Sequence, residues 1–161
     1  MFKKISLLVA VVVGTITGFG APSLSASIDQ PAPESGVIRV KSAYGVEETI
    51  ARIKQDIAAK GIKFFDQIDQ AKLAADAGIT LRPSTLLIFG NPPLGIQFLT
   101  ANPYSGLDWP VRMLVLQDST GQVWVAYTDF QFIAARHRLE DRAAQLKMAS
   151  EVAASIAASA H

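Results

Sequence analysis

The sequence predicts one α+β domain with a mainly antiparallel sheet and helices packed on one of its faces. Two observations lead to this fold class: apolar residues recur at helical spacing near both ends of the domain, and short apolar runs separated by turn residues lie between them. Half of the 161 residues are hydrophobic and 18 % are charged, so the chain can bury a core although it contains no cysteine. We predict the order β-α-β-β-β-β-α over residues 37–161.

Residues 1–27 have the pattern of a secretory signal peptide. Lys3 and Lys4 precede a short apolar run, and small residues near its end favour cleavage after Ser25 or Ser27. The alternative is an uncleaved anchor, because residues 5–28 carry no charge. Cleavage removes two of 15 basic residues and none of 14 acidic ones, so the net charge falls from +1 to −1. We expect a periplasmic or secreted protein with no nucleic-acid partner and no stable membrane insertion after cleavage.

Alternation and helical spacing define the first elements of the domain. After a proline-rich, disordered linker at residues 28–36, apolar and polar residues alternate from Val37 and predict a strand. Ile50, Ile53 and Ile57 then recur at helical spacing behind two glutamates that suit a helix start. The remaining predicted elements are strands at 62–68, 84–89, 111–116 and 122–128, a helical turn at 70–77, a mostly irregular stretch at 91–110 with one helical turn at 93–100, and a last helix at 134–158.

Three of these later elements have clear signals. The run at 84–89 is continuously apolar between a proline and a glycine, which is typical of a central strand. Residues 118–121 separate two apolar runs and predict a β-hairpin, since Gly121 can adopt a positive φ. Leu146 and Ile156 belong to one apolar stripe, which predicts a single long final helix.

Several sequence motifs resemble a known bacterial family. The matching runs, in chain order, are Ile68-Asp69, Leu87-Ile88-Phe89-Gly90-Asn91-Pro92, Gly106-Leu107-Asp108-Trp109-Pro110, Val123-Trp124-Val125-Ala126-Tyr127 and Arg136-His137. Over about residues 37–139 they resemble the "domain of unknown function 302" family. The resemblance implies a β-α-β-β-β-β-α fold of the TATA-binding-protein-like class and supplies no catalytic residues. Gln70 and Trp109 depart from it, because many relatives have histidine and leucine there.

The candidate ligand-binding residues are polar side chains near predicted strand and helix ends: Asn91, Tyr127, Asp129, Arg136 and His137. Apart from the terminal His161, His137 is the only histidine, so we expect no metal and no cofactor. Arg136 could bind a carboxylate or phosphate, but Glu140 and Asp141 nearby make a solvated, internally paired helix face the alternative. Asn91 follows Gly90 either in a ligand-facing loop or in a purely structural turn.

Three classes of function remain open. The favoured class is a non-catalytic module that binds a small apolar ligand or a protein, with homodimerisation through a sheet face or edge as one form. The second is a hydrolase-like or other enzyme that uses Asn91, Tyr127, Asp129 and His137 as a polar cluster. The third is a structural envelope protein without a pocket. Six aromatic residues are candidates to line a cavity between the sheet and the last helix: Phe89, Phe98, Trp109, Trp124, Tyr127 and Phe130.

Overall fold

The computed structural model describes residues 35–161, so the predicted signal peptide and most of the predicted linker lie outside it. The strands it describes are β1 (Val37–Lys41), β2 (Lys63–Asp69), β3 (Ser84–Gly90), β4 (Val111–Gln117) and β5 (Val123–Thr128). The α-helices are α1 (Val46–Ala59), α2 (Gln70–Asp76), α3 (Pro92–Ala101), α4 (Phe130–His137) and α5 (Ala143–Ala158). Two 3₁₀ turns cover Pro103–Leu107 and Glu140–Arg142.

All five strands form one antiparallel sheet in the order β1-β5-β4-β3-β2. The predicted α+β class and strand order along the chain are therefore confirmed. The register assigns each strand residue to a face, because directly paired residues point the same way. Met113 of β4 pairs with Leu87 and Tyr127 on one face, and its neighbour Leu114 pairs with Leu86 and Ala126 on the other.

The face that contains Met113 is packed by helices and forms the core. Ile53 and Ile57 of α1 and Ile156 of α5 are almost fully buried in one cluster with Met113 and the other inward-facing strand residues. Each such side chain contributes about 1.5–3 kcal/mol when it is removed from water. This is the arrangement that the helical spacing of the isoleucines predicts.

The opposite side of the sheet, which we call the open face, remains partly exposed to solvent along β2, β3 and β4. Its apolar residues alternate along the strands with residues of the core. They are Val37, Ile68, Leu86, Ile88, Leu114, Leu116, Trp124 and Ala126, of which Val37 is exposed, Ala126 is buried and the others are half-buried. The sheet therefore has one packed face and one largely apolar face that meets solvent.

The predicted single helix at 134–158 is wrong, because the chain forms two helices there. At the end of α4, Arg138 adopts a φ of 54°, in the left-handed region. This reversal buries Leu139 completely, and the Leu139 N–H donates to the carbonyl of Ala134 at 3.0 Å. Glycine or asparagine usually marks such a helix end, so an arginine gives no signal for it.

The prediction that residues 91–110 are mostly irregular is also wrong. Pro92 and Pro93 are the first residues of α3, which is ten residues long. Proline is tolerated there because the first helical N–H groups have no partner within the helix. Asn102 then begins the following 3₁₀ turn by accepting a hydrogen bond from the Tyr104 N–H at 3.0 Å. The predicted helical turn at 93–100, with prolines at its start, is confirmed, and the helix is longer than predicted.

The predicted hairpin between β4 and β5 is confirmed and is held by a carboxylate. Gly121 has a φ of 86°, and the Asp118 N–H donates to the Gln122 carbonyl at 2.9 Å. The Asp118 carboxylate accepts hydrogen bonds from the Thr120 hydroxyl at 2.7 Å and the Trp124 indole at 2.6 Å, and from two backbone N–H groups of the turn. These donors, the Thr120 hydroxyl above all, lower the pKa of Asp118 from 3.8 to about 2.

We expect the Asp118 contacts to lose their stabilising effect in acid. Because the folded pKa lies below the unfolded value, this stabilisation is complete above pH 3.8 and is lost as the pH falls towards about 2. Urea denaturation of the natural chain and of the Asp118→Asn variant, repeated from neutral pH downwards, measures this loss of stabilisation. The difference in their free energies of unfolding should shrink across that window. A difference that stays constant down to pH 2 would contradict the assignment.

Candidate functional site

A cluster of charged side chains surrounds Asp108, between the Pro103–Leu107 turn, β4 and α4. The Asp108 side chain is 5 % exposed, as is that of His137, whose Nε2 lies 2.6 Å from Asp108 Oδ2. Arg136 Nη1 lies 3.2 Å from the same oxygen, and Arg112 Nη2 lies 3.0 Å from Oδ1. A single buried carboxylate thus binds two guanidinium groups and one imidazole.

These contacts join three parts of the fold. Arg112 belongs to β4 and also donates to the Leu107 carbonyl at 2.8 Å. Arg136 and His137 form the last turn of α4, where positive charge suits the helix dipole. The Asn102 side chain donates to the His137 carbonyl at 2.8 Å, so the end of α4 is held from two sides. The geometry is that of a structural ion-pair network.

The hydrogen bonds within the cluster limit the reactions that its side chains could catalyse. Nε2 of His137 is engaged by Asp108, so a general-base role would fall to Nδ1, which has no hydrogen-bond partner among the described residues. The Arg112 and Arg136 side chains are about half exposed and could also meet an external oxyanion. Within residues 35–161, no group of three or more His, Cys, Asp or Glu side chains is arranged to hold a metal ion.

The structure does not gather the five predicted binding residues into one site. Arg136 and His137 meet at Asp108, whereas Asn91 is exposed at the start of α3. Asp129 caps α4 by accepting the Gln131 N–H at 2.9 Å. Tyr127 is buried on the packed face, and its burial, assisted by the negative charge of Asp129, raises its pKa. Within the described part of the chain, no hydrogen bond joins any two of Asn91, Tyr127, Asp129 and His137.

Asp108 is the central residue of the cluster, and sequence reasoning did not select it. It lies 29 positions before His137, so no local spacing connects the two residues. The arginines nearby behave differently from each other. Arg142 pairs with its neighbour Asp141, as a solvated helix face predicts, but Arg136 pairs with the distant Asp108. The available signal was chemical: a histidine needs a polar partner when it is buried.

A narrow apolar cleft lies between β3, α3 and α5. Of the six aromatic residues predicted to line a cavity, Phe89, Phe98, Trp109 and Phe130 do so. The cavity volume is about 40 Å³, which has room for a few water molecules but not for an organic ligand. The other two residues lie elsewhere, since Trp124 is on the open face and Tyr127 is not among the lining residues.

The Trp109 indole forms part of the wall of this cleft, and two glycines make space for it. A Cβ atom added at Gly95 would lie 1.9 Å from Trp109 Nε1, and one added at Gly90 would lie 3.1 Å from it. On its other side the indole meets the Phe65 ring edge-on, with ring centroids 6.1 Å apart. The cleft is therefore a packing site for the protein's own tryptophan.

These features define an α+β domain whose antiparallel sheet is packed by helices on one face. The family described as "Domain of unknown function DUF302" matches residues 38–158. The chain belongs to this family, and the resemblance seen in its motifs is confirmed.

A solved structure shares the fold. The crystal structure of the uncharacterized conserved protein DUF302 from Bacillus stearothermophilus superimposes with a TM-score of 0.72 and 16 % identity, covering 78 % of this chain and 98 % of that one. The fluoride-specific ion channels FluC 1 of Brucella suis biovar 1 (strain 1330) and of Brucella abortus biovar 1 (strain 9-941) are each 37 % identical over 106 residues. That segment is 66 % of this chain but only 42 % and 39 % of the two channels.

The chain thus matches about two fifths of the length of those curated relatives. Of the helices that the structure describes in residues 35–161, none is long and apolar enough to cross a membrane.

Proposed function

We propose that the mature chain is an exported, non-catalytic binding module that docks a protein on its open face. The observation that carries this proposal is the row of half-buried aliphatic residues on β3 and β4, which includes Leu86, Ile88, Leu114 and Leu116. A contiguous apolar surface of this kind marks an interaction site more often than an isolated exposed side chain does. With strands spaced about 4.8 Å apart and about seven residues long, the sheet offers roughly 500 Å² of flat area. A protein interface buries about 800 Å² on each partner, so the face can supply its apolar centre.

The open face continues into a groove at one end of the sheet. This groove has a volume of about 410 Å³ and is lined by residues 80–84 and 116–118. Leu81 on its wall is 49 % exposed, and Ile79 in the same loop is 63 % exposed. Apolar surface therefore extends beyond the strands, which enlarges the area available to a partner.

A small apolar ligand, the other expected partner, has less space available to it. The cleft that could enclose it has a volume of about 40 Å³, so an organic ligand would enter only if the cleft widened. The open face needs no such rearrangement, and we therefore propose it rather than the cleft as the binding surface.

The N-terminal pattern and the curated relatives support an exported accessory module. Residues 1–27 have the signal-peptide pattern described above. The two Brucella channels contain a segment related to this domain within chains more than twice as long as that segment. In those channels the related segment is joined to further chain, which suits a domain that acts by binding other proteins.

Site-specific photocrosslinking in the cells that naturally produce this chain tests the proposal. The full-length chain would carry p-benzoyl-phenylalanine in place of Leu114 on the open face or, as a matched control, in place of the exposed Gln55 on α1. We expect a discrete protein adduct from position 114 and none from position 55. Intact mass of the recovered chain should show a first residue close to 26–28, as cleavage of a signal peptide requires.

Two results would overturn the proposal. Equal adducts from both positions, or none from position 114, would remove the open face as the binding surface. A recovered chain that still begins at Met1 would remove the cleaved export signal.

A further inference from the structure

We infer that the partner of the open face is a protein with an acidic surface, an inference that rests on the function proposed above. The basis is the distribution of unpaired positive charge. Arg39 and Lys41 of β1 lie on the open face, since they pair directly with Ala126 and Trp124. Lys63 of β2 pairs with Gly90, two residues beyond Ile88 on the same side of the sheet.

A fourth cation, Arg82, lines the groove at the end of the open face. Within the described part of the chain, none of Arg39, Lys41, Lys63 and Arg82 forms an ion pair. Two acidic residues lie on or beside the same face: Asp66, which pairs with Ile88, and Asp118, which lines the groove with Arg82. The open face thus carries a surplus of positive charge around its apolar centre.

Most cations on the helices are neutralised locally, although Lys54 of α1 and Arg138 at the end of α4 form no ion pair among the described residues. Four lysines or arginines on α1, α2 and α5 lie within one helical turn of a carboxylate partner. The pairs are Arg52–Glu48, Lys60–Asp56, Lys72–Asp76 and Lys147–Glu151. The mature chain as a whole would have a net charge of −1, so positive potential is concentrated on one side.

The shape of the charge pattern fits a protein interface. Cations on both edge strands surround an aliphatic centre, which is the arrangement of an apolar core with a polar rim. The Arg39 guanidinium lies over the Trp124 ring, 4.1 Å from its centroid, and so forms part of a flat platform.

A membrane surface fits the open face less well than a protein does. The aliphatic side chains of this face are half-buried, whereas residues that insert into a lipid bilayer project from the protein surface.

A second copy of the chain fits this face poorly. If two sheets stack about a two-fold axis parallel to the strands, β1 of one copy faces β2 of the other, and Arg39 comes opposite Ile68 of its own row, where no carboxylate pairs with it. If the axis runs across the strands near Val40, β1 faces β1, and Arg39 and Lys41 of both copies meet. Like charges brought together oppose association, whereas carboxylates of a different protein would pair with each of these cations.

Charge reversal on the open face, in the same crosslinking system, tests whether the surface of the partner is acidic. The photoreactive residue stays at position 114, and the chain also carries Lys41→Glu and Lys63→Glu. We expect the yield of the adduct to fall about tenfold or more. The matched control is Lys72→Glu with Lys147→Glu, which changes the net charge equally on exposed helical residues and should leave the yield within about twofold. Circular dichroism melting checks that both double variants fold.

Each outcome separates this inference from the proposed function. If the chain without charge changes gives no adduct at position 114, the proposed function itself is wrong. If the adduct persists undiminished after charge reversal, the open face binds a protein but the acidic partner is wrong. An adduct of twice the chain's own mass, or one with phospholipid, also overturns the inference, because the occupant is then a second copy or a membrane surface.

Discussion

Replacing Asp108 with alanine should lower the free energy of unfolding by about 3–5 kcal/mol, the loss typical when one partner of a buried charged network is removed. His137, equally buried, would lose the one side-chain hydrogen bond that it forms within residues 35–161, and two guanidinium groups would face each other without a carboxylate between them. The β4, α4 and 3₁₀ segments would also lose their common contact. Urea denaturation of the mature chain at neutral pH measures the change.

Asp66→Ala is the matched control for this experiment. Asp66 is exposed and forms no ion pair among the described residues, so its loss should change the free energy of unfolding by no more than about 0.5 kcal/mol. If Asp108→Ala does not fold, Asp108→Asn keeps the volume and one acceptor oxygen and should give a smaller loss. Equal effects of the Asp66 and Asp108 substitutions would refute the structural role of the cluster.

A double-mutant cycle with His137→Ala identifies which contact matters most. If the Nε2 to Oδ2 contact dominates, removing both side chains should cost much less than the sum of the two single substitutions. If the losses simply add, the arginines account for the stabilisation. The cycle therefore measures how much of the stabilisation by Asp108 passes through His137, which the sequence indicated as a ligand-binding residue.

Local signals in the sequence were enough to predict much of the fold. The isoleucine spacing of α1 and the glycine turn between β4 and β5 depend on residues close together in the chain, and both appear where predicted. The left-handed Arg138 could not be predicted in this way, because its conformation follows from the burial of Leu139 in a core built by the whole domain. The predicted signal peptide remains a prediction.

The candidate site was less predictable than the fold for the same reason. His137 could be selected because histidines are rare in this chain, but its partner Asp108 is defined by packing between distant segments. The open face shows a different difficulty. A continuous apolar run in β3 predicts a strand buried on both sides, yet Leu86 and Ile88 face solvent in part. Sequence alone cannot distinguish burial within the domain from burial against a partner.

The packing of Trp109 against α3 gives the second large expected effect. In the interior of a helix, alanine is more stable than glycine by about 1 kcal/mol, so Gly95→Ala would normally stabilise the protein. Here the added Cβ would lie 1.9 Å from the Trp109 indole, and the ring must leave its place. We therefore expect the opposite sign, a loss of about 1–3 kcal/mol in the free energy of unfolding. The emission of Trp109 should also shift as the ring becomes more exposed.

Two further variants decide whether the indole causes that loss. Gly106→Ala adds a Cβ whose nearest neighbour, on Leu99, lies at an ordinary 3.8 Å, so it should be close to neutral. In a Trp109→Leu background the ring is gone, and Gly95→Ala should become neutral or stabilising, as helix propensity alone requires. If Gly95→Ala destabilises both backgrounds equally, the clash with Trp109 is not the cause. A change of sign between the two backgrounds would show that glycine is retained at position 95 to admit the tryptophan ring.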